Sequence, residues 1–225
     1  MAPFFNDLLL MKSRNSMIGW WPLLMILAIG FVSCKSTTSQ SDRYLFYLHG
    51  RIIEDQGIYA QHPEYGSYQY KAILEKFTNA GFRVISEPRA KDTDAQEYAR
   101  LLADDVRELL HAGTPAHHIT IVGASKGAVI AMLASAELSN EQVNYVFMAN
   151  CNTWVTNQYS PQVCGRILSV YETTDTIGKS CRSLIDQTQC TVEFSEIALN
   201  TGLKHGFIFR PIDAWITPTI KWARH

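Results

Sequence analysis

Hydrophobic residues along most of the chain follow two kinds of pattern. Short runs of apolar and β-branched residues are typical of buried strands, and apolar positions repeated every three or four residues are typical of helices. The runs predict strands at residues 43–48, 82–87, 118–122, 143–149, 166–171 and 191–199. The helical spacing predicts helices at residues 68–80, 93–113, 126–138 and 212–223.

This alternation of strands and helices predicts an α/β fold. Strands that alternate with helices form a mostly parallel sheet that is covered by helices on both faces. We therefore expect one domain over residues 43–225, a three-layer sandwich with about six mostly parallel strands. Sites in such sheets lie at the carboxyl ends of the strands. The polar residues that follow the predicted strands are His49, Arg51, Arg89, Ser125, Asn150, Asp175 and His205.

The first 34 residues have a different pattern. Lys12 and Arg14 precede an apolar run at residues 17–32, and Ser33-Cys34 follows that run. A basic start, a short apolar stretch and a small residue before a break are typical of an export signal. The run is shorter than the roughly 20 residues that a membrane-spanning helix needs. We therefore predict an export signal at residues 1–34, a polar tether at residues 35–42, and a location in the bacterial cell envelope or periplasm.

Cys34 itself is similar to the acylated cysteine of bacterial lipoproteins. Ser33 fits that pattern, whereas Phe31 stands where the pattern usually has leucine. Two alternatives therefore stay open. The first is a lipid anchor at Cys34, which would be the chain's one attachment to a membrane, and the second is an ordinary secretory signal cut nearby.

Charge and cysteine content narrow the possible partners. The formal net charge is −1 and there is no basic run, so the sequence lacks the cluster of positive charge that nucleic-acid-binding proteins use.

Four cysteines remain besides Cys34, and an even number in an exported domain predicts two disulfides or, alternatively, buried free thiols. Of three possible connectivities we favour Cys151–Cys164 and Cys181–Cys190, because each would close a local loop. The spacing of Cys and His matches no metal motif, so neither a metal nor a cofactor is expected.

The most informative segment is Gly123-Ala124-Ser125-Lys126-Gly127, which lies between an apolar strand-like run and a helix-like run. Gly-x-Ser-x-Gly in this context is typical of a nucleophile elbow, where a tight turn lifts the serine Oγ above the sheet. The glycines lack the bulk that such a turn would not accommodate. The amides at the start of the next helix point at developing negative charge. The alternative is an ordinary strand-to-helix turn with an unreactive serine.

A serine nucleophile needs a base, and the base needs a carboxylate to orient it. Ser125, Asp175 and His205 occur in the order that the α/β-hydrolase arrangement requires, each just after a predicted strand. Glu172 is the alternative carboxylate. A second oxyanion donor is expected in the loop after the first strand, where the backbone N–H of Gly50 or Arg51 would act together with that of Lys126. His49 would then support that loop rather than act as a base.

These motifs together resemble the α/β-hydrolase superfamily over residues 43–223. The resemblance implies an α/β-hydrolase-like sandwich and a serine hydrolase of the cell envelope that acts on a small-molecule acyl substrate. The alternative is a binding or assembly protein of the envelope that keeps the fold without catalysis. The chain departs from larger members because it lacks the opening antiparallel strands, and because residues 151–165 are too few for a lid domain. A small, open site is therefore implied. Trp154 and Tyr159 either edge that site or, as the alternative for Trp154, pack within the loop, and the sequence favours neither.

Several cations follow the same predicted strands and suggest two interpretations. Arg51, Arg89, Lys91 and Lys126 would attract an anionic substrate if their charges were free at the rim of the site. Alternatively, they form ion pairs with nearby acidic residues, the candidates being Glu54, Asp55, Glu64 and Glu87.

Overall fold

The computed structural model describes residues 42–225. The predicted export signal and all but the last residue of the predicted tether therefore lie outside the described residues. The strands are β1 (Tyr44–Leu48), β2 (Gln61–His62), β3 (Gly66–Ser67), β4 (Arg83–Ile85), β5 (Ile119–Ala124), β6 (Asn144–Met148), β7 (Cys164–Glu172) and β8 (Cys190–Leu199). The helices are α1 (Arg51–Gln56), α2 (Tyr70–Asn79), α3 (Ala95–His111), α4 (Lys126–Leu138), α5 (Thr153–Tyr159), α6 (Arg182–Ile185) and α7 (Asp213–Ala223).

Six of these strands form one sheet in the order β4-β1-β5-β6-β7-β8. Every neighbouring pair in this sheet is parallel. Leu48 pairs with Gly123, and Ala124 pairs with Met148, so β1, β5 and β6 end at the same edge. The predicted number of strands and their parallel arrangement are confirmed, and the antiparallel opening strands of larger relatives are absent from the described residues.

Helices cover both faces of the sheet, which makes the predicted three layers. On one face α1, α2 and α7 pack on a cluster that includes the fully buried Ile53, Phe77 and Trp215. On the other face α3 and α4 pack on a second cluster that includes Val106 and Ile130. Most of the buried residues of α4 are small or aliphatic, which lets that helix lie close to the sheet beneath Ser125. No helix in the described part of the chain is both long enough and apolar enough to span a bilayer.

The structure contains several short elements that hydrophobic periodicity did not predict. These are α1, the β2–β3 hairpin, α5, α6 and the 3-10 turns Ala116–His118 and Lys204–Phe209. Each has one or two turns or a pair of two-residue strands, which is too short for a repeat to become visible in the sequence. Most of them lie at the carboxyl edge of the sheet, where the candidate site residues also lie.

Two disulfides are present, Cys151–Cys181 and Cys164–Cys190. The pairing of local cysteines that we favoured from the sequence is therefore wrong. Cys164 and Cys190 are the first residues of adjacent parallel strands and lie opposite each other in register. Cys151 follows β6, and Cys181 ends the loop after β7, so this second pair meets at the other edge. Strand adjacency, not closeness in sequence, decides which cysteines meet.

Candidate active site

Ser125 lies at the sharp turn between β5 and α4, as the elbow motif predicts. Its backbone has φ 53° and ψ −117°, a left-handed conformation that non-glycine residues seldom adopt. A Cβ on Gly127 would lie 2.0 Å from the Leu48 carbonyl oxygen, and one on Gly123 would lie 2.4 Å from the Gly127 carbonyl oxygen. Only glycine fits at these two positions, because the turn brings the first residues of α4 against the end of β1 at Gly127 and against β5 at Gly123.

His205 connects Ser125 to Asp175. The His205 Nε2 lies 3.0 Å from Ser125 Oγ, and its Nδ1 lies 2.7 Å from Asp175 Oδ2. An ionised carboxylate can only accept, so the proton is on Nδ1, and Nε2 is left to accept the serine hydroxyl proton. The three side chains that the sequence placed after three different strands therefore meet at one edge of the sheet.

Asp175 is held as a carboxylate. It is almost fully buried, and burial alone would raise its pKa. The hydrogen bond and charge of His205 and the backbone amides of Ile177 and Gly178 outweigh that effect and hold the pKa of Asp175 below its ordinary value. The Ile177 amide donates to Asp175 Oδ1 at 2.8 Å, so the carboxylate is fixed by the backbone on one side and by the imidazole on the other.

Glu172, the alternative carboxylate, has a different role in the structure. Its Oε2 accepts the amide of Thr201 at 2.8 Å and the Thr201 hydroxyl at 2.6 Å, and its Oε1 accepts from Thr174. Burial acts to raise the pKa of Glu172, but these hydrogen bonds bring it below the ordinary value. Glu172 thus joins the loop after β7, which carries Asp175, to the turn after β8, which leads to His205.

His49 supports the loop after β1. Its ring is fully buried. Its Nε2 accepts the Arg89 amide at 2.9 Å, and its Nδ1 lies 2.9 Å from the Gly50 carbonyl oxygen. Burial, together with the charge of Arg89, lowers the pKa of His49 to about 4. A neutral ring with its proton on Nδ1 satisfies both contacts, which agrees with the supporting role predicted for His49.

Two helix starts, α1 after β1 and α4 after β5, contribute backbone amides near the serine. A Cβ on Gly50 would lie 3.5 Å from Ser125 Cβ, so the loop after β1 passes close to Ser125. Arg51 is the first residue of α1 and Lys126 is the first residue of α4. The first amides of a helix have no acceptor within that helix, so the amides of Arg51 and Lys126 are available to an oxygen of a bound molecule.

Three of the four cations considered from the sequence, Arg51, Arg89 and Lys126, form ion pairs. Lys126 Nζ lies 2.5 Å from Glu54 Oε2, and Arg89 Nε lies 2.8 Å from Glu54 Oε1. Arg51 lies 3.5 Å from both Asp55 and Asp92. These contacts favour the ion-pair interpretation over an anion-binding rim. Of the acidic partners considered from the sequence, Glu54 is the important one.

An open cleft of about 450 Å³ lies beside Ser125. Its wall includes the exposed indole of Trp154 and the ring of Tyr159. The two rings pack edge to face, with their centroids 5.8 Å apart. Of the two interpretations left open by the sequence, the structure therefore places Trp154 and Tyr159 at the edge of the cleft. The other apolar residues of the lining are Ala95, Val129, Val155 and Ile177, and the polar ones include Thr93, Asn150 and Asn152.

One supporting residue, Tyr65, was not predicted from the sequence, and a second, Asn150, was predicted to lie at this edge without an assigned role. Tyr65, at the turn of the β2–β3 hairpin, packs so closely on Gly206 that a Cβ on Gly206 would lie 2.8 Å from its ring. Asn150 donates from Nδ2 to the Ser125 carbonyl oxygen at 2.8 Å. Gly206 next to His205 was the available signal for a close neighbour, but nothing in the sequence identified that neighbour as Tyr65.

Within residues 42–225, no group of three or more His, Cys, Asp and Glu side chains is arranged to hold a metal ion.

Comparison with known proteins identifies the fold. No protein-family model and no curated protein matches the chain. Among solved structures, a protein of unknown function from Agrobacterium tumefaciens, proposed to be an α/β hydrolase, is similar with a TM-score of 0.56 at 17% identity, covering 83% of this chain and 86% of that one. A proposed carboxylesterase from Lactobacillus plantarum has a TM-score of 0.56 at 13% identity, covering 82% and 89%.

An α/β serine hydrolase homologue from Coxiella burnetii is similar to the chain as well, with a TM-score of 0.52 at 15% identity, covering 80% of this chain and 84% of that one. Together with the six parallel strands and the flanking helices, these likenesses define the fold as that of the α/β hydrolases.

Proposed function

We propose that this protein is a serine hydrolase of the cell envelope that cleaves an ester or a similar acyl bond. The observation that carries the proposal is the chain of hydrogen bonds from Asp175 through His205 to Ser125, with distances of 2.7 and 3.0 Å. A buried aspartate bonded to an imidazole that faces a serine on a strained turn is the arrangement that acyl transfer needs. The fold of the neighbouring structures agrees with a hydrolase at this general level.

In the proposed reaction Ser125 Oγ attacks the carbonyl carbon of the substrate. His205 Nε2 takes the hydroxyl proton and then gives it to the leaving group, which departs with the bonding electrons. Asp175 accepts from Nδ1 throughout and stabilises the imidazolium that forms. A water molecule then repeats the attack on the acyl-enzyme, releases the acid and restores the serine.

The oxyanion would be held by two backbone amides. Lys126 supplies one, as the residue after the nucleophile. We assign the second to Arg51 rather than Gly50, because Arg51 is the first residue of α1 and its amide has no acceptor within that helix. Removing one such donor typically costs about 10²–10³ in kcat.

The acyl group would lie in the cleft beside Trp154. The apolar part of its wall fits a hydrocarbon or aromatic group of modest size, and its open side leaves the leaving group in solvent. Because Glu54 pairs with both Arg89 and Lys126, we expect neutral esters to be hydrolysed at least as fast as esters that carry a carboxylate. The two disulfides fit an oxidising compartment outside the cytoplasm.

A fluorophosphonate probe tests this proposal directly. The probe should label the folded domain covalently, labelling should vanish in Ser125→Ala, and hydrolysis of a p-nitrophenyl ester should fall by at least about 10³-fold in the same variant. Ser139→Ala is the matched control, since Ser139 ends α4 at the far side of that helix, and it should label like wild type. A folded wild-type protein that is neither labelled nor active would instead favour the non-catalytic binding or assembly protein.

A further inference from the structure

Glu54 is a buried carboxylate that the proposed reaction does not use. Its side chain is fully buried, and its partners Arg89 and Lys126 expose only 1% and 20% of theirs. The three side chains, which we call the Glu54 cluster, carry two positive charges and one negative charge. Lys126 Nζ also donates to the Thr93 carbonyl oxygen at 2.6 Å, and Arg89 Nη2 donates to the His49 carbonyl oxygen.

Burying such a cluster of charges is often less favourable in free energy than burying apolar side chains of the same volume. Removing two charges from water costs several kcal/mol per ion, and well-packed apolar residues of similar volume are often as stable or more stable. The free energy of folding therefore does not explain the Glu54 cluster. Its position must be considered instead.

The Glu54 cluster lies between the two segments that would hold the oxyanion. Glu54 belongs to α1, one turn after Arg51, and its ion pair with Lys126 joins α1 to the first residue of α4. Arg89 bonds to the ring and the carbonyl oxygen of His49, and so holds the loop that precedes Arg51. A displacement of α1 relative to α4 would change the distance between the two amides.

We propose that Glu54 is a positioning residue that sets the spacing of the Arg51 and Lys126 amides through its ion pairs with Lys126 and Arg89. This inference rests on the proposed hydrolase function and adds a residue to it. Glu54 touches no reacting atom. It acts through the backbone of α1 and through the Lys126 side chain, so its loss should weaken binding of the transition state and leave binding of the ground-state ester nearly unchanged.

The test compares Glu54→Gln, Lys126→Met and the double variant with wild type on a p-nitrophenyl ester. Each single change should lower kcat about 10–100-fold with KM within about two-fold, less than the loss of a whole oxyanion donor. The double variant should be no slower than the slower single variant, because both changes break one connection. Affinity for an alkyl boronic acid, which forms a tetrahedral adduct on the serine, should fall by the same factor as kcat.

Folding is controlled in two ways. Lys126→Met keeps its backbone amide and leaves the buried Glu54–Arg89 pair intact, so it reports on the connection even if Glu54→Gln does not fold. Glu193→Gln is the matched control for loss of an ion pair, because Glu193 bonds to the partly buried Arg166 at 2.7 Å on the edge strand β8. It should leave kcat and KM unchanged.

Active wild-type protein with kcat of Lys126→Met and of folded Glu54→Gln within two-fold of its own would overturn this inference alone. A rise in KM at constant kcat would also overturn it, since it would place the Glu54 cluster in substrate binding. Wild-type protein that neither reacts with the fluorophosphonate nor cleaves the ester would overturn the hydrolase proposal, and this inference with it.

Discussion

Strained backbone is concentrated at residues around the candidate site. Seven non-glycine residues in the described chain have positive φ, and five of them line the cleft, flank His205, or flank Asn150, which bonds to the Ser125 backbone. The five are Asp92, Ser125, Ala149, Cys151 and Lys204. Left-handed conformations cost about 1–3 kcal/mol each and persist where the surrounding structure fixes them. This distribution is a reason, independent of the hydrogen bonds, to place the function at this edge.

A second residue-scale consequence concerns His49 and pH. Its pKa is about 4 in the folded protein, whereas an unfolded histidine has a pKa of about 6.5. Between these values the unfolded chain binds a proton that the folded chain does not, so stability is complete above pH 6.5 and falls as the pH decreases towards 4. We expect His49 to contribute about 2–3 kcal/mol to the loss between pH 7.5 and 4.5.

Urea unfolding of wild type and His49→Gln at the two pH values measures this contribution. The variant should lose about 2–3 kcal/mol less on acidification than wild type. The pKa values of Asp175 and Glu172 are lowered, so protonation of these carboxylates destabilises the folded protein mainly below this pH range. That effect is present in both proteins and cancels in the difference. Equal losses in the two proteins would mean that His49 accepts a proton without disturbing the fold.

At the scale of elements, the sequence predicted what depends on long patterns. The six strands, α2, α3, α4 and α7 each have enough residues for periodicity to appear, and Gly123 and Gly127 located the turn that carries Ser125. The order Ser125, Asp175, His205 was also visible. What could not be read was the relation between neighbours that are distant in the chain, such as Tyr65 on Gly206, Glu54 beneath Lys126, and Cys164 opposite Cys190.

The Cys151–Cys181 disulfide joins two elements of the candidate site. Cys151 follows Asn150, which bonds to the backbone of Ser125, and Cys181 ends the loop that begins at Asp175. The Lys179 amide also donates to the Asn150 carbonyl oxygen at 2.7 Å. We therefore expect this disulfide to hold the Asp175 loop against the nucleophile turn, and Cys151→Ser/Cys181→Ser to lower kcat severalfold.

Cys164→Ser/Cys190→Ser provides the control. The two disulfides close loops of similar length, with sequence separations of 30 and 26 residues, so the chain-entropy part of their stabilisation differs by about 0.1 kcal/mol. Thermal unfolding should show losses of roughly 2–4 kcal/mol for each pair, while kcat on the p-nitrophenyl ester should fall only for the 151/181 pair. Equal effects on kcat would show that general stability, not the Asp175 loop, was affected.

At the scale of the whole molecule, the two edges of the sheet carry different features. The carboxyl edge carries Ser125, Asp175, His205, the cleft and one disulfide, whereas the opposite edge carries the Cys164–Cys190 disulfide. Both disulfides require an oxidising compartment to persist. The two disulfides are therefore consistent with an exported protein, as the predicted export signal suggests.

The cysteine count suggests a test of whether Cys34 carries a lipid that attaches the protein to a membrane. Of the five cysteines in the chain, four are used in the two disulfides, and the fifth, Cys34, lies outside the described residues. A free cysteine is unusual in an exported protein that forms disulfides, whereas an acylated cysteine at the end of a signal needs no disulfide partner.

We expect bacterial cells that express the full chain and are fed an alkyne analogue of palmitate to incorporate the label into this protein. One acyl chain gives only marginal membrane binding, so stable retention in the membrane fraction would require more than one chain on Cys34. The Cys34→Ala variant should lose both the label and the membrane retention while keeping fluorophosphonate reactivity at Ser125. Label that persists in Cys34→Ala, or wild-type protein that is exported without label, would favour the ordinary secretory signal.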